Sequence, residues 1–165
     1  MKAVLITLSL LVVAFVVLFL ILGVLSKSGK APGLVDGRLS NCPDKPNCVN
    51  SDQGEDAAHY IEPLGILDDD STATMPALKK VIREMGGRIE AESDHYLAAT
   101  FSSAIFGFVD DLEIRVDSSE RVIHIRSASR VGHSDMGVNR KRTELLRKLY
   151  LEKVSNANLS QDTAQ

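Results

Sequence analysis

The chain has 165 residues, with 19 Lys plus Arg against 22 Asp plus Glu and a formal net charge of −3. That balance excludes a protein that grips nucleic acid through an overall basic surface, and two cysteines exclude a disulfide-dense scaffold. Once the apolar N-terminus is set aside, the remaining length suffices for one modest hydrophobic core and not for two.

Ala3 to Leu25, AVLITLSLLVVAFVVLFLILGVL, holds no charge and only Thr7, Ser9 and Gly23 to dilute it. At about 1.5 Å per residue it is long enough for a hydrocarbon core of about 30 Å, so residues 3–25 are expected to form a single transmembrane helix. A cleaved signal peptide is the rival. Its apolar region is normally only about 7 to 15 residues, and LGVLSKSGK offers neither a good small-x-small site nor a lipid-acceptor cysteine. Orientation is contested within the sequence: Lys2 precedes the helix and Lys27, Lys30 and Arg38 follow it, which favours a cytoplasmic domain.

Residues 26–40, SKSGKAPGLVDGRLS, are small, polar and rich in Gly, and are expected to be a flexible linker. The cysteines in NCPDKPNC then argue for the other side of the membrane. Two prolines and an aspartate between Cys42 and Cys48 can turn the chain back on itself and bring the thiols within bonding range, giving a disulfide in an oxidising space. Two reduced cysteines in a tight loop are the alternative. No metal centre is expected, because His59, His95, His124 and His133 lack ligand spacing.

Residues 41–154 are expected to form one globular domain, and 155–165 a disordered tail. Ala58 to Leu64 reads as a first strand, with Pro63 marking its end or an edge position. In DDDSTATMPALKKVIREMGG, Met75, Leu78, Val81, Ile82 and Met85 recur at helical spacing, with Ser71 or Thr72 as cap and Gly86-Gly87 as stop. Asp68-Asp69-Asp70 is a solvated run ahead of the helix; a calcium loop would need more spaced oxygens. Four strands follow: Arg88–Glu92 and Tyr96–Phe101 around the turn Ser93-Asp94-His95, then Phe108–Asp117, then Val122–Ser129. Leu112, Ile114 and Val116 alternate with Asp111, Glu113, Arg115 and Asp117, the period of a half-buried strand. A last helix from about Val138 to Val154 puts Leu145, Leu146, Leu149, Tyr150 and Val154 on one side. Tyr96, Phe101, Phe106 and Phe108 sit among aliphatics and read as core or rim aromatics.

The fold class is therefore α+β: a curved antiparallel sheet of about five strands carrying two helices on one face, in the order strand, helix, four strands, helix, with the other face wet. It resembles the TATA-binding-protein-like and helix-grip topologies, a likeness of fold that carries no function.

Charge is uneven along this domain. Asp52 to Glu120 contains 16 acidic and 5 basic residues, whereas Arg121 to Lys153 contains 9 basic and 3 acidic. If the strand with Asp111, Glu113 and Arg115 lies beside the one with His124 and Arg126, opposite charges meet across the ladder. The stretch RSASRVGHSDMGVNR leads from that last strand to a helix opening on Arg140-Lys141-Arg142, although a helix start favours negative charge. The cations need an anion. It is either the protein's own, from Asp110, Asp111 or Asp135, or a ligand held by Arg126, Ser129, Arg130, Asp135, Asn139 and Arg140. Gly132 and Gly137 would allow positive φ at this corner.

NCPDKPNCVNS, FGFVDDLEI and above all HIRSASRVGHSDMGVNRKR resemble an uncharacterised bacterial and plastid family, domain of unknown function fourteen-ninety-nine. The resemblance runs from about Leu39 to Leu151, with His133 standing where the family more often has an aromatic. Its members carry an N-terminal anchor, lipobox or targeting segment, which implies a periplasmic domain on a single-pass membrane anchor. It implies no activity.

The functional expectation is a membrane-anchored, non-enzymatic binding or scaffold module, with an anionic small molecule, a lipid headgroup or an envelope protein as partner and no cofactor. One alternative is an envelope hydrolase using the Ser, His and Asp residues of 124–135. No G-x-S-x-G elbow, Walker loop or dinucleotide fingerprint supports it. The other alternative is a purely structural subunit of a membrane complex.

Overall fold

The computed structural model describes residues 1–54, 56–67 and 73–162, with side chains through 156. The acidic run Asp68-Asp69-Asp70 and the expected cap at Ser71 or Thr72 lie outside the described residues. The first element is α1, Lys2–Ser26, whose apolar window has a mean hydropathy of 3.3 and no burial inside the protein. By length and composition it can cross a membrane.

The domain is α+β. Its sheet is antiparallel and runs β3 (Cys48–Asn50), β8 (Val122–Ser129), β7 (Val109–Asp117), β6 (Tyr96–Ser102), β5 (Arg88–Glu92), with β4 (Leu64–Gly65) also pairing with β8. Side-chain alternation explains the assembly: Leu97, Ala99, Leu112, Ile114, Ile123 and Ile125 are fully buried on one face. Against that face lie α2 (Thr74–Glu84) and α3 (Val138–Asp162), through Leu78, Val81, Ile82, Leu146, Tyr150 and Val154. Burying each such aliphatic contributes about 1.5–3 kcal/mol of hydrophobic stabilisation. The stop of α2 at Gly86-Gly87 is as expected: Gly86 has φ +85°, and the N–H groups of Gly86 and Gly87 return to the carbonyls of Arg83 and Ile82.

Four features differ from the sequence expectation. Ala58–Leu64 is not a strand. The chain turns at Asp56, whose carbonyl accepts the N–H groups of His59 and Tyr60, and Pro63 has no donor for a ladder, so only an Asn50–Tyr60 bridge and the two residues of β4 form. The edge place beside β8 goes instead to Cys48–Asn50.

Residues 34–39 form a ribbon, β1 (Leu34–Val35) and β2 (Arg38–Leu39), rather than an unstructured tether. Asp36 (φ 50°) and Gly37 (φ 76°) form its two-residue turn, both in the left-handed region that suits the twist of a hairpin. The ribbon lies over the outer face of the sheet, which is therefore not uniformly wet: Glu113 is 0% exposed and Arg126 6%. Finally, α3 continues past Val154 to Asp162 through most of the expected tail.

Candidate functional site

The outer face of the sheet carries a lattice of ion pairs. Register sets Glu113 opposite Arg126 and Arg115 opposite His124. Arg126 Nη1 donates to Glu113 Oε2 at 2.7 Å, while Tyr96 Oη (2.8 Å) and the backbone N–H of Gly33 (2.9 Å) donate to Glu113 Oε1. Burial and the adjacent Glu113 carboxylate push the Tyr96 hydroxyl well above its usual range. Arg115 holds Asp52 through Nε and Nη2, both at 2.9 Å, and Asp52 also accepts the N–H of Leu39 at 2.9 Å. Burial alone would raise the Asp52 carboxyl, but the Arg115 hydrogen bonds and the Leu39 N–H outweigh it and hold it below 3.8. Two buried acids thus capture the backbone N–H groups of Gly33 and Leu39 at the open end of the β1–β2 ribbon, opposite its Asp36-Gly37 turn.

The basic corner is built by the same chemistry. Arg130 meets Asp111 through Nε (2.9 Å) and Nη2 (2.7 Å), a bidentate pair. Arg142 donates to Asp110 at 2.6 Å and lies 4.7 Å from the centre of the Phe101 ring. Asp135 supplies the negative charge at the start of α3, accepting the N–H groups of Gly137 (3.0 Å) and Asn139 (2.6 Å). Gly132 (φ 89°) and Gly137 (φ 78°) take the left-handed conformations the corner requires. Asn139, 1% exposed, donates to Asn47 O (2.9 Å) and Ser129 Oγ (3.0 Å), and its Oδ1 accepts from Ser127 Oγ (2.6 Å) and Arg142.

Of the six residues singled out in the sequence, Ser129, Asp135 and Asn139 meet one another at the start of α3, whereas Arg126 pairs with Glu113, Arg130 with Asp111, and Arg140 reaches Tyr60. Ser129, Arg130, Asp135 and Asn139 have partners within the chain, and Arg126 meets Glu113 through Nη1 while its buried Nε has no hydrogen-bond partner among the described residues. Arg140 differs: among the described residues its exposed guanidinium meets only the carbonyl of Tyr60, at 3.2 and 3.3 Å. Cys42 and Cys48 form a disulfide.

What the sequence did not announce is that this corner holds the end of α1. Ser26 Oγ accepts the N–H of Val109 at 3.0 Å, and Arg130 Nη1 donates to the carbonyl of Ser26 at 3.3 Å, satisfying one of the orphan acceptors at a helix C-terminus. Phe19 packs against Phe106 and Phe108 with ring centres 5.2 and 5.9 Å apart. Gly23 is buried against the loop so closely that a Cβ there would lie 1.9 Å from the Phe106 carbonyl oxygen. The signals were present in FGFVDDLEI and in the lone Gly23, but only the fold shows they face each other.

The arrangement lacks a nucleophile–base pair among the described residues of 124–135. Ser127 Oγ is fully buried against Asn139 and Arg142, and Ser129 Oγ is a partner of Asn139. Ser51, His124 and Asp52 do cluster, yet Ser51 Oγ (3.5 Å) and Asp52 (3.7 Å) both approach Nδ1, so the ring relays nothing between them. Asp117, Glu120 and His124 each bring a ligand atom within 4.8 Å of the others. Asp117 is already filled by Ser119, the Glu120 N–H and Arg115, whose guanidinium at 3.0 Å would repel a cation.

No curated protein and no solved structure matches the chain. A family profile described as Protein of unknown function (DUF1499) matches residues 38–149, the region from β2 to the middle of α3 that contains the ion-pair lattice, the disulfide and the corner. With more than half of its length covered, the chain belongs to this family.

Proposed function

We propose that this chain is a single-pass, membrane-anchored scaffold module without catalytic activity. Its domain stands on the extracytoplasmic side and presents a surface at a fixed attitude to the bilayer. The observation that carries this reading is the fastening of α1 to the domain: a tether to an independent binding domain needs no such joint, whereas here Ser26, Gly23, Phe19 and Arg130 all engage β7, its preceding loop or the corner. The disulfide supports the extracytoplasmic side, since such bonds persist in oxidising compartments.

Partner chemistry follows from the cations at the corner that have no acidic partner among the described residues. Arg140 and Lys141 are exposed, so an anionic group on a small molecule, a lipid or an envelope protein would meet those two side chains rather than the buried arginines. Hydrolysis finds no support in the geometry of Ser127 or Ser129.

The placement is tested with right-side-out and inverted membrane vesicles treated with an impermeant reductant and polyethylene glycol maleimide. Two adducts per chain are expected in right-side-out vesicles only; adducts confined to inverted vesicles would put the domain in the cytoplasm.

A further inference from the structure

We infer that the domain makes a second contact with the membrane. The loop Ser103–Phe108 and the corner Val131–Val138 would seat in the surface of the same leaflet from which α1 emerges. This inference rests on the reading of α1 as a span, and it adds where the domain sits on the lipid.

Depth carries the argument. Ser26, at the end of α1, is bonded to Val109 at the start of β7. Moving back along the helix, Gly23 meets the Phe106 backbone and Phe19 meets the Phe106 ring. The loop before β7 therefore runs down the side of α1 rather than away from it. At 1.5 Å per residue, Phe19 lies about 10 Å below Ser26. The first charged residue beyond the apolar segment is Lys27, so the water boundary falls near the last turn of α1, and the Phe106 ring, beside Phe19, lies on the lipid side of it.

The side chains on these loops agree with that depth. Ile105 is 81% exposed at the tip of a turn closed by the Gly107 N–H to Ser103 O, and Met136 is 90% exposed at the corner. Exposed apolar side chains of this size are costly in water and favourable at a lipid boundary. Between α1 and the corner lies a cleft of about 330 Å³ lined by Phe19, Leu22, Phe108, Val131 and Val138 together with His133, Ser134 and Asp135. Its apolar lining thus continues the surface of α1, while its polar residues suit the headgroup layer. The end of the Lys27 side chain lies over Gly107, and an ammonium on so flexible a stem can reach headgroup phosphate. The occupant this chemistry fits is the bilayer itself: lipid chains against Ile105, Phe106 and Met136, and headgroups against the polar residues of the cleft.

The chain contains no tryptophan, so single substitutions report position without background. Full-length Ile105→Trp, Met136→Trp, Leu11→Trp and Glu120→Trp chains are reconstituted in phosphatidylcholine vesicles carrying acyl-chain bromines about 5–10 Å below the headgroups, the depth of interfacial apolar faces. Leu11 lies within α1, and Glu120 lies on the β7–β8 turn at the far end of the strand from α1. Seating predicts blue-shifted, strongly quenched emission for Ile105→Trp and Met136→Trp, and red-shifted, unquenched emission for Glu120→Trp. If Leu11→Trp is quenched while Ile105→Trp and Met136→Trp behave like Glu120→Trp, the span stands and the seating is overturned, as it would be if those tips served a protein partner. If Leu11→Trp is not quenched, both readings fall.

Discussion

Arg130 holds Asp111 through two hydrogen bonds, at 2.9 and 2.7 Å, with the two side chains only 11% and 6% exposed. A pair so desolvated contributes little beyond what well-packed apolar groups would, but breaking it strands a charge. Arg130→Ala is therefore expected to cost about 3–5 kcal/mol of domain stability, and an Arg130→Met, Asp111→Leu double variant much less. Chemical unfolding of the three proteins decides it. Loss of under about 1 kcal/mol in the single variant would mean that solvent reaches Asp111 and the buried lattice is not as described.

The same arginine reaches the end of α1, so the joint can be probed without touching the pair. Gly23→Ala introduces a Cβ that would sit 1.9 Å from the Phe106 carbonyl oxygen, and backbone cannot give way by that much. The expected outcome is an α1 released from the loop, with domain stability nearly unchanged and faster tryptic cleavage at Lys27 and Lys30. Unaltered cleavage would show that the joint tolerates separation and that a fixed attitude is not built into it.

The domain's central strands were legible because their chemistry is local. Leu112, Ile114 and Val116 against Asp111, Glu113 and Arg115 announce a two-faced strand, and the pairing of Glu113 with Arg126 follows once the β7–β8 hairpin is recognised. Two further signals are local: Asp36-Gly37 is the dipeptide of a two-residue hairpin, and the turn from Asp56 to His59 adds to Pro63 in marking a segment unable to ladder. The α1 joint was beyond reach for a different reason. Phe19 and Phe106, or Ser26 and Val109, are about eighty residues apart, and nothing in either sequence neighbourhood names the other. At the corner the need for an anion was readable, whereas which of the chain's own acids meet it, Asp111 at Arg130, Asp110 at Arg142 and Asp135 at the start of α3, depended on which strand ends lie beside α3.

The disulfide should matter more than its short loop suggests. Closing a loop of sequence separation 6 is worth about 2 kcal/mol in the chain-entropy model. Cys48 also sits at 3% exposure on β3, facing Ala128 of β8, and the neighbouring Asn47 carbonyl accepts from Ser129 and Asn139. Reduction is expected to lower the midpoint of thermal unfolding and to loosen the corner together with the edge strand. Hydrogen exchange at Ser129 and Asn139 in reduced and oxidised protein checks this; protection unchanged at both would confine the effect to the loop.

His59 links that loop to the next and gives stability a pH dependence of definite sign. Its Nδ1 lies 2.6 Å from Asp56 Oδ2 and its Nε2 2.9 Å from the Lys45 carbonyl, so only the protonated ring can donate to both acceptors at once. The Asp56 hydrogen bond raises the His59 pKa above 6.5, with burial opposing it and the Lys45 carbonyl assisting. A group whose folded value is raised stabilises fully below its unfolded value, and that contribution is lost as pH rises through the folded one. Asp52 has the opposite sign: it is held below 3.8, so its contribution is present above that value and is lost as pH falls through the lowered one. Stability should therefore form a plateau between about 3.8 and 6.5 and decline on the alkaline side as His59 deprotonates. His59→Asn keeps a polar group but removes the titration, so the alkaline decline should flatten, while the acid limb keeps the Asp52 contribution and loses that of Asp56, whose carboxyl is held low chiefly by the His59 hydrogen bond. Thermal unfolding from below 3.8 to well above 6.5 decides it, and an alkaline limb equally steep in both proteins would assign the decline to another group.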